Sequence, residues 1–138
     1  MHKNITVEVT INKPIATVWK FWTAPKQIVN WNFASDDWEC PRAINDLKVG
    51  GHFSYIMAAK DKSASFDFNG EYTAVDYCKL LAYTIQGGRE VTVKFEETPT
   101  GTRLIETFEM ETTNSEEKQR SGWQSILNNF KKLVEASK

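Results

Sequence analysis

Histidine is nearly missing from this 138-residue chain, which has only His2 and His52. An imidazole-based catalytic triad therefore has few places to form, one at the N-terminus and one beside the turn signal Val49-Gly50-Gly51. If Phe53 and Tyr55 face inward, strand alternation turns His52 to the outside. Cysteine is just as scarce. Cys40 and Cys78 have no metal-ligand spacing, so neither zinc nor any other metal or cofactor is expected. The acidic neighbours Asp36, Asp37 and Glu39 should make Cys40 a poorer thiolate, and both thiols read as free and passive.

Long apolar runs are also absent. None approaches the roughly 18 residues needed to cross a bilayer, which excludes integral membrane association. Neither charge sign dominates, since 17 basic and 18 acidic residues leave a net charge of -1. No basic block could supply many phosphate contacts, so nucleic acid is not an expected partner. The Gly50-Gly51 and Gly87-Gly88 pairs lack the strand-loop-helix context and the lysine of a phosphate-cradling loop, and they read as hairpin turns. The chain opens on the polar Met1-His2-Lys3-Asn4 with no leader-like apolar stretch, which together with the low cysteine usage points to the cytoplasm.

What the sequence has in quantity is aromatic surface: five Trp, four Tyr and eight Phe. A single domain spanning residues 1–138 can bury about two-thirds of the surface its unfolded chain exposes. These rings therefore either fill a core or line a ligand cavity.

Ile5, Val7, Val9 and Ile11 alternate with polar residues, which marks a half-buried strand. Pro14 suits the first turn of a helix carrying Ile15, Val18, Trp19 and Trp22, and that helix stops before Ala24-Pro25. A second short helical turn is expected over 25–31. The stretch 32–45 shows no clear period. Strands follow, with Phe53, Tyr55 and Met57 alternating, then Phe66 and Phe68 in a run continuing to Val75. Asn69-Gly70 within that run reads as a bend rather than a hairpin. Leu80 to Ile85, then Val91, Val93 and Phe95, then Leu104 to Met110 complete the strand set. Thr113-Asn114-Ser115-Glu116 offers a capping box ahead of Trp123, Ile126, Leu127, Phe130, Leu133 and Val134, which have helical spacing over roughly 20 residues. Gly122 costs that helix about 1 kcal/mol relative to Ala, which suggests a close approach or open space beside Trp123. The element order gives an α+β fold with helices on one side of an antiparallel sheet.

Several residues in this order carry a family resemblance: Pro14-x-x-x-Val18-Trp19, Trp22-Thr23-x-Pro25, Trp31, Val49-Gly50-Gly51-x-Phe53, Gly70-Glu71-Tyr72 and Gly122-Trp123. Over essentially its whole length the chain resembles the bacterial proteins similar to the C-terminal domain of the activator of the ninety-kilodalton heat-shock protein ATPase. These belong to the SRPBCC, or START-like, superfamily. The resemblance implies a helix-grip fold, in which a curved antiparallel sheet wraps a long C-terminal helix, with two short helices after the first strand. It also implies a cavity between sheet and helix. Members use that space for lipids, sterols, hormones or polyketides, and fold alone does not fix which.

In such a fold Trp31, Phe33, Trp38, Phe53, Tyr55, Met57, Phe66, Phe68, Trp123 and Leu127 converge, and they form the candidate ligand-binding set. Leu127, with Phe130, also fits plain core packing. No catalytic residue is assigned. Glu71 and Glu106 lie in strands, where an outward position is the commoner one; an inward carboxylate would have a perturbed pKa and could act as acid or base. Three functions remain open: a binding protein for a small apolar or aromatic molecule, an enzyme related to polyketide cyclases, or a chaperone-associated interaction module. The last expects a filled interior with an exposed apolar patch, a feature that a homodimer would share.

Overall fold

A computed structural model of the chain describes residues 3–137. His2 lies outside the described residues. Strand β1 (Asn4–Ile11) leads through Pro14 into helix α1 (Ile15–Thr23) and the single turn α2 (Pro25–Ile28). Six strands follow: β2 (Trp38–Asn45), β3 (His52–Ala59), β4 (Ser65–Asp76), β5 (Leu80–Ile85), β6 (Arg89–Thr98) and β7 (Gly101–Glu109). Helix α3 (Glu116–Ala136) closes the fold. The strands form one seven-stranded antiparallel sheet in the order β1-β7-β6-β5-β4-β3-β2, curved around α3.

Sheet order and hydrophobic pattern agree. In β1, Ile5, Val7 and Ile11 are buried and Val9 is partly buried against the same core, while Asn4, Thr6, Glu8 and Thr10 face out. In β3, Phe53, Tyr55, Met57 and Ala59 point inward on alternate positions. The unreadable stretch contains edge strand β2, whose period is broken by a register shift between Glu39 and Arg42. Pro41 sits inside that irregularity, where a missing N–H costs no ladder bond.

At Asn69-Gly70 strand β4 runs on without a hairpin. A Cβ on Gly70 would lie 2.6 Å from the Thr84 carbonyl oxygen and 2.8 Å from the Phe53 ring, so glycine there lets Phe53 lie flat across the strand. Gly87 and Gly88, both with positive φ, make the tight turn between β5 and β6,.

Helix α2 is shorter than its apolar spacing suggests, ending at Ile28 and continuing only as turns to Trp31. The cap of α3 is also shifted. Ser115 is the N-cap, its hydroxyl accepting from the Lys118 N–H at 3.1 Å, and Glu116 and Glu117 lie in the first turn. Lys3 and Arg120 both pair with Glu116. Leu127, Phe130 and Val134 on α3 are fully buried against a core that includes Val18, Ile28, Leu81, Val91, Val93 and Leu104.

Candidate functional site

Between the sheet and the N-terminal half of α3 the packing opens into a cavity of about 350 Å³. That is the lower end of the range for small-molecule sites. One wall comes from neighbouring strands: Phe53, Tyr55 and Met57 of β3, Phe66, Phe68 and Tyr72 of β4, and Tyr83 of β5. Gln119, Gly122, Trp123 and Ile126 of α3 form the opposite wall. Trp22, Trp31 and Asn32 close one end. Phe66, about half exposed, and the exposed Lys118 mark the opening.

The walls are held by ring contacts. Trp123 stacks on Phe108 with centroids 3.8 Å apart and meets the Phe68 ring edge-on at 6.0 Å. Phe53 touches Tyr55, Phe68, Tyr72 and Tyr83, all within 5.8 Å between centroids. Such pairs add about 0.5–1.5 kcal/mol each beyond the area they bury. They also fix the ring orientations, giving the cavity rigid sides. Gly122 leaves the helix side open, since a Cβ there would meet nothing within 4 Å.

A few polar groups enter this apolar space. The Tyr55 and Tyr72 side chains both line the cavity. Tyr72 donates to Asn45 Oδ1 at 2.7 Å, and Asn45 Nδ2 donates to the Thr23 carbonyl at 2.8 Å. Burial holds the Tyr55 hydroxyl well above the usual tyrosine range and pushes Tyr72 up to about 12. Tyr83 is pushed well up by burial and then by the nearby Glu106 carboxyl. Toward the opening, Gln119 Nε2 donates to the Glu111 and Asn114 carbonyls, and its Oε1 accepts from the Glu111 N–H. This fastens the loop before α3 to the helix. Arg89 donates to the Glu109 carbonyl at 3.1 Å.

Glu106 corrects an expectation of the sequence. It faces inward, only 5% exposed, between the buried Leu104 and Phe108 on β7, and it lies on the cavity wall. Burial raises its pKa to about 8. The period of two through Leu104, Glu106 and Phe108 was the signal for this placement. Glu71 does face out, beside His52, whose Nε2 lies 3.2 Å from Glu71 Oε1.

Of the candidate set, Trp31, Phe53, Tyr55, Met57, Phe66, Phe68 and Trp123 come together around the cavity. Phe33, Trp38 and Leu127 do not. Phe33 belongs to a separate shallow depression with Ser125, Asn128 and Asn129 on another side of α3. Trp38 is drawn to the sheet edge, where its ring leans on Phe66 at 6.0 Å. Leu127 is fully enclosed in the core. The sequence did not mark out Tyr72 and Tyr83, which alternate inward on β4 and β5, or the polar groups at the opening, which have no periodic signature. Cys40 is buried, its thiol pushed up to about 11 mainly by that burial, and it reaches only the Arg42 carbonyl. Among the described residues no group of three or more His, Cys, Asp or Glu could hold a metal ion. Nor, among the described residues, is any helix long and apolar enough to cross a membrane.

A curved antiparallel sheet closed over a long C-terminal helix, with a cavity between them, defines a helix-grip protein of the SRPBCC, or START-like, superfamily. Within it, the family described as "Activator of Hsp90 ATPase homolog 1-like protein" matches residues 12–135, and the chain belongs to that family. The solution structure of an AHSA1-like protein from Aeromonas hydrophila is 46% identical, with a TM-score of 0.92, over 97% of this chain and 93% of that one. Chr148 from Cytophaga hutchinsonii is 50% identical, with a TM-score of 0.83, over 96% of this chain and 92% of that one. Protein CV1439 from Chromobacterium violaceum shares the fold at 20% identity, with a TM-score of 0.87 over 98% and 99% of the two chains. No curated protein matches this chain. Fold and family thus resemble the SRPBCC ligand-binding proteins.

Proposed function

We propose that this protein binds a small, mainly apolar, aromatic-bearing molecule in the cavity between sheet and α3. Trp31, Phe53, Tyr55, Met57, Phe66, Phe68 and Trp123 make the apolar contacts. The observation that carries this reading is the cavity itself, about 350 Å³ of space walled by oriented rings and kept open by a glycine on the facing helix. An unoccupied space of that size forfeits dispersion contacts along its whole lining, so a fold under selection for stability alone tends to fill it. An interaction module expects a filled interior, and the open one favours a small ligand over a chaperone surface. The two unpaired cysteines suit a cytoplasmic protein,.

Native mass spectrometry of the purified protein, followed by denaturing extraction, tests the proposal and reads oligomeric state in the same spectrum. The expected result is an apolar adduct at one per chain that Trp31→Ala and Phe68→Ala weaken. A clean apo mass, together with no uptake of a hydrophobic fluorescent probe, would sink it.

Acid–base catalysis on the bound molecule is a second reading, and one observation favours it: two buried titratable groups, Glu106 of β7 and Tyr83 of β5, line the same cavity,. It predicts chemical turnover of the extracted compound when that compound is returned to the protein in excess.

A further inference from the structure

Glu106 is costly to keep where it stands. A carboxyl group taken out of water without compensating hydrogen bonds is strongly disfavoured in its charged form. Among the described residues no hydrogen bond or ion pair ties it down. No enclosed side-chain oxygen or nitrogen among those residues lacks a partner either, so the Glu106 oxygens must be open to the cavity space. The site therefore holds one buried carboxyl group on its wall, with no protein partner for its oxygens among the described residues.

We propose, resting on the ligand-binding reading above, that Glu106 is the polar recognition point of the cavity. Its carboxylic acid group donates a hydrogen bond to a carbonyl or ether oxygen on a neutral aromatic ligand. A buried acid acting as a hydrogen-bond donor at neutral pH has physical precedent, and burial favours that protonation state here. A cationic amine is the competing complement for a carboxyl group. Two observations disfavour it: Arg89 and Lys118 already supply positive charge to the lining, and bringing an ammonium ion into this apolar interior adds a second desolvation cost. The titratable and charged groups facing the space around Glu106 are Tyr55 from β3, Tyr72 from β4, Tyr83 from β5, Arg89 at the start of β6, Glu111 after β7 and Lys118 from α3. Burial holds all three tyrosines above their usual range, so they do not ionise alongside Glu106.

The test uses prodan, a neutral naphthyl ketone dye whose emission shifts to the red when its carbonyl accepts a hydrogen bond, and isopropylnaphthalene, which has no acceptor. With the wild-type protein near pH 6, bound prodan should emit as a hydrogen-bonded ketone. Its affinity should fall by up to about tenfold per pH unit as the carboxyl ionises. Glu106→Gln, whose amide still donates, should abolish that pH dependence, and Glu106→Leu should shift the bound emission to the blue. Unchanged emission in Glu106→Leu, or a pH profile that survives in Glu106→Gln, overturns the assignment of Glu106 even if both probes bind. Tighter binding of naphthylmethylamine than of prodan at neutral pH also overturns it. If neither prodan nor isopropylnaphthalene binds the wild-type protein at any pH, the ligand-binding reading fails as well.

Discussion

The two halves of α3 lie over the same sheet and end in opposite ways. Along one stripe of the helix, at four-residue spacing, stand Gly122, Ile126, Phe130 and Val134. Toward the C-terminus the stripe is packed solid. Phe130 meets Trp22 edge-on at 5.0 Å and Trp31 at 4.8 Å, those two tryptophans stack at 4.7 Å, and Val134 is fully buried. Toward the N-terminus the stripe shrinks to Gly122, and the space a side chain would fill is the cavity. One amphipathic helix thus serves as core element at one end and as cavity wall at the other. The difference comes from side-chain volume, since both halves keep regular helical backbone.

The comparison makes opposite demands on substitutions in the two halves. The largest effect belongs to the packed end, where Phe130→Ala should lose about 3–5 kcal/mol of stability in urea unfolding, because the surrounding tryptophans cannot collapse into the gap. A loss under about 1 kcal/mol would mean that this end is as loose as the other.

Glu106→Gln comes next, with an effect that depends on pH. The native carboxyl titrates near 8 and the unfolded one near the ordinary value of 4.5. Between those values the native state holds a proton that the unfolded state has released. Wild-type stability therefore falls as pH rises through that window, with a slope of at most about 1.4 kcal/mol per pH unit, and is flat below it. Glu106→Gln lacks this slope, so the variant should gain on the wild type from mildly acidic pH up to about 8. Parallel stability curves for the two proteins would show that the carboxyl is not buried as described.

The smallest effect separates packing from binding within the open half. Gly122→Ala should raise stability by about 0.5–1 kcal/mol through helix propensity alone, as its methyl group meets open space,. Gly122→Leu should leave unfolding nearly unchanged or slightly improved while weakening uptake of an aromatic probe by about tenfold or more, a cost of about 1.4 kcal/mol. If Gly122→Leu kept full probe uptake, the cavity at Gly122 would not be where the molecule binds.

Ring residues on regular strands were legible because the period of two fixes the face a side chain takes once one neighbour is known to be buried. Alternation put Phe53, Tyr55 and Met57 on one face, and the family resemblance turned that face toward the helix. Glu106 obeyed the same rule but was weighed by residue type, and the usual preference of carboxylates for water hid its position. Phe33 and Trp38 stand away from the cavity for a different reason. Phe33 lies in the irregular segment between α2 and β2, and Trp38 opens the irregular edge strand β2 just ahead of its register shift, so no period predicts the direction of either. Asn129 on α3 donates to the Trp31 carbonyl at 2.9 Å and to the Phe33 carbonyl at 3.5 Å, and the Trp31 indole N–H donates to the Phe21 carbonyl at 2.9 Å, which holds that ring inward.

By itself the sequence determined the elements other than edge strand β2, among them the long final helix with its glycine, and it showed no metal spacing and no nucleic-acid charge pattern. Each of these depends on neighbours within a few residues along the chain, and local periodicity and composition record them. Only the tertiary structure decided which aromatic rings fill the core and which surround the cavity, and that Glu106 stands among them. Those outcomes depend on how far α3 is held from the sheet, a distance set jointly by side-chain volumes on elements far apart in sequence.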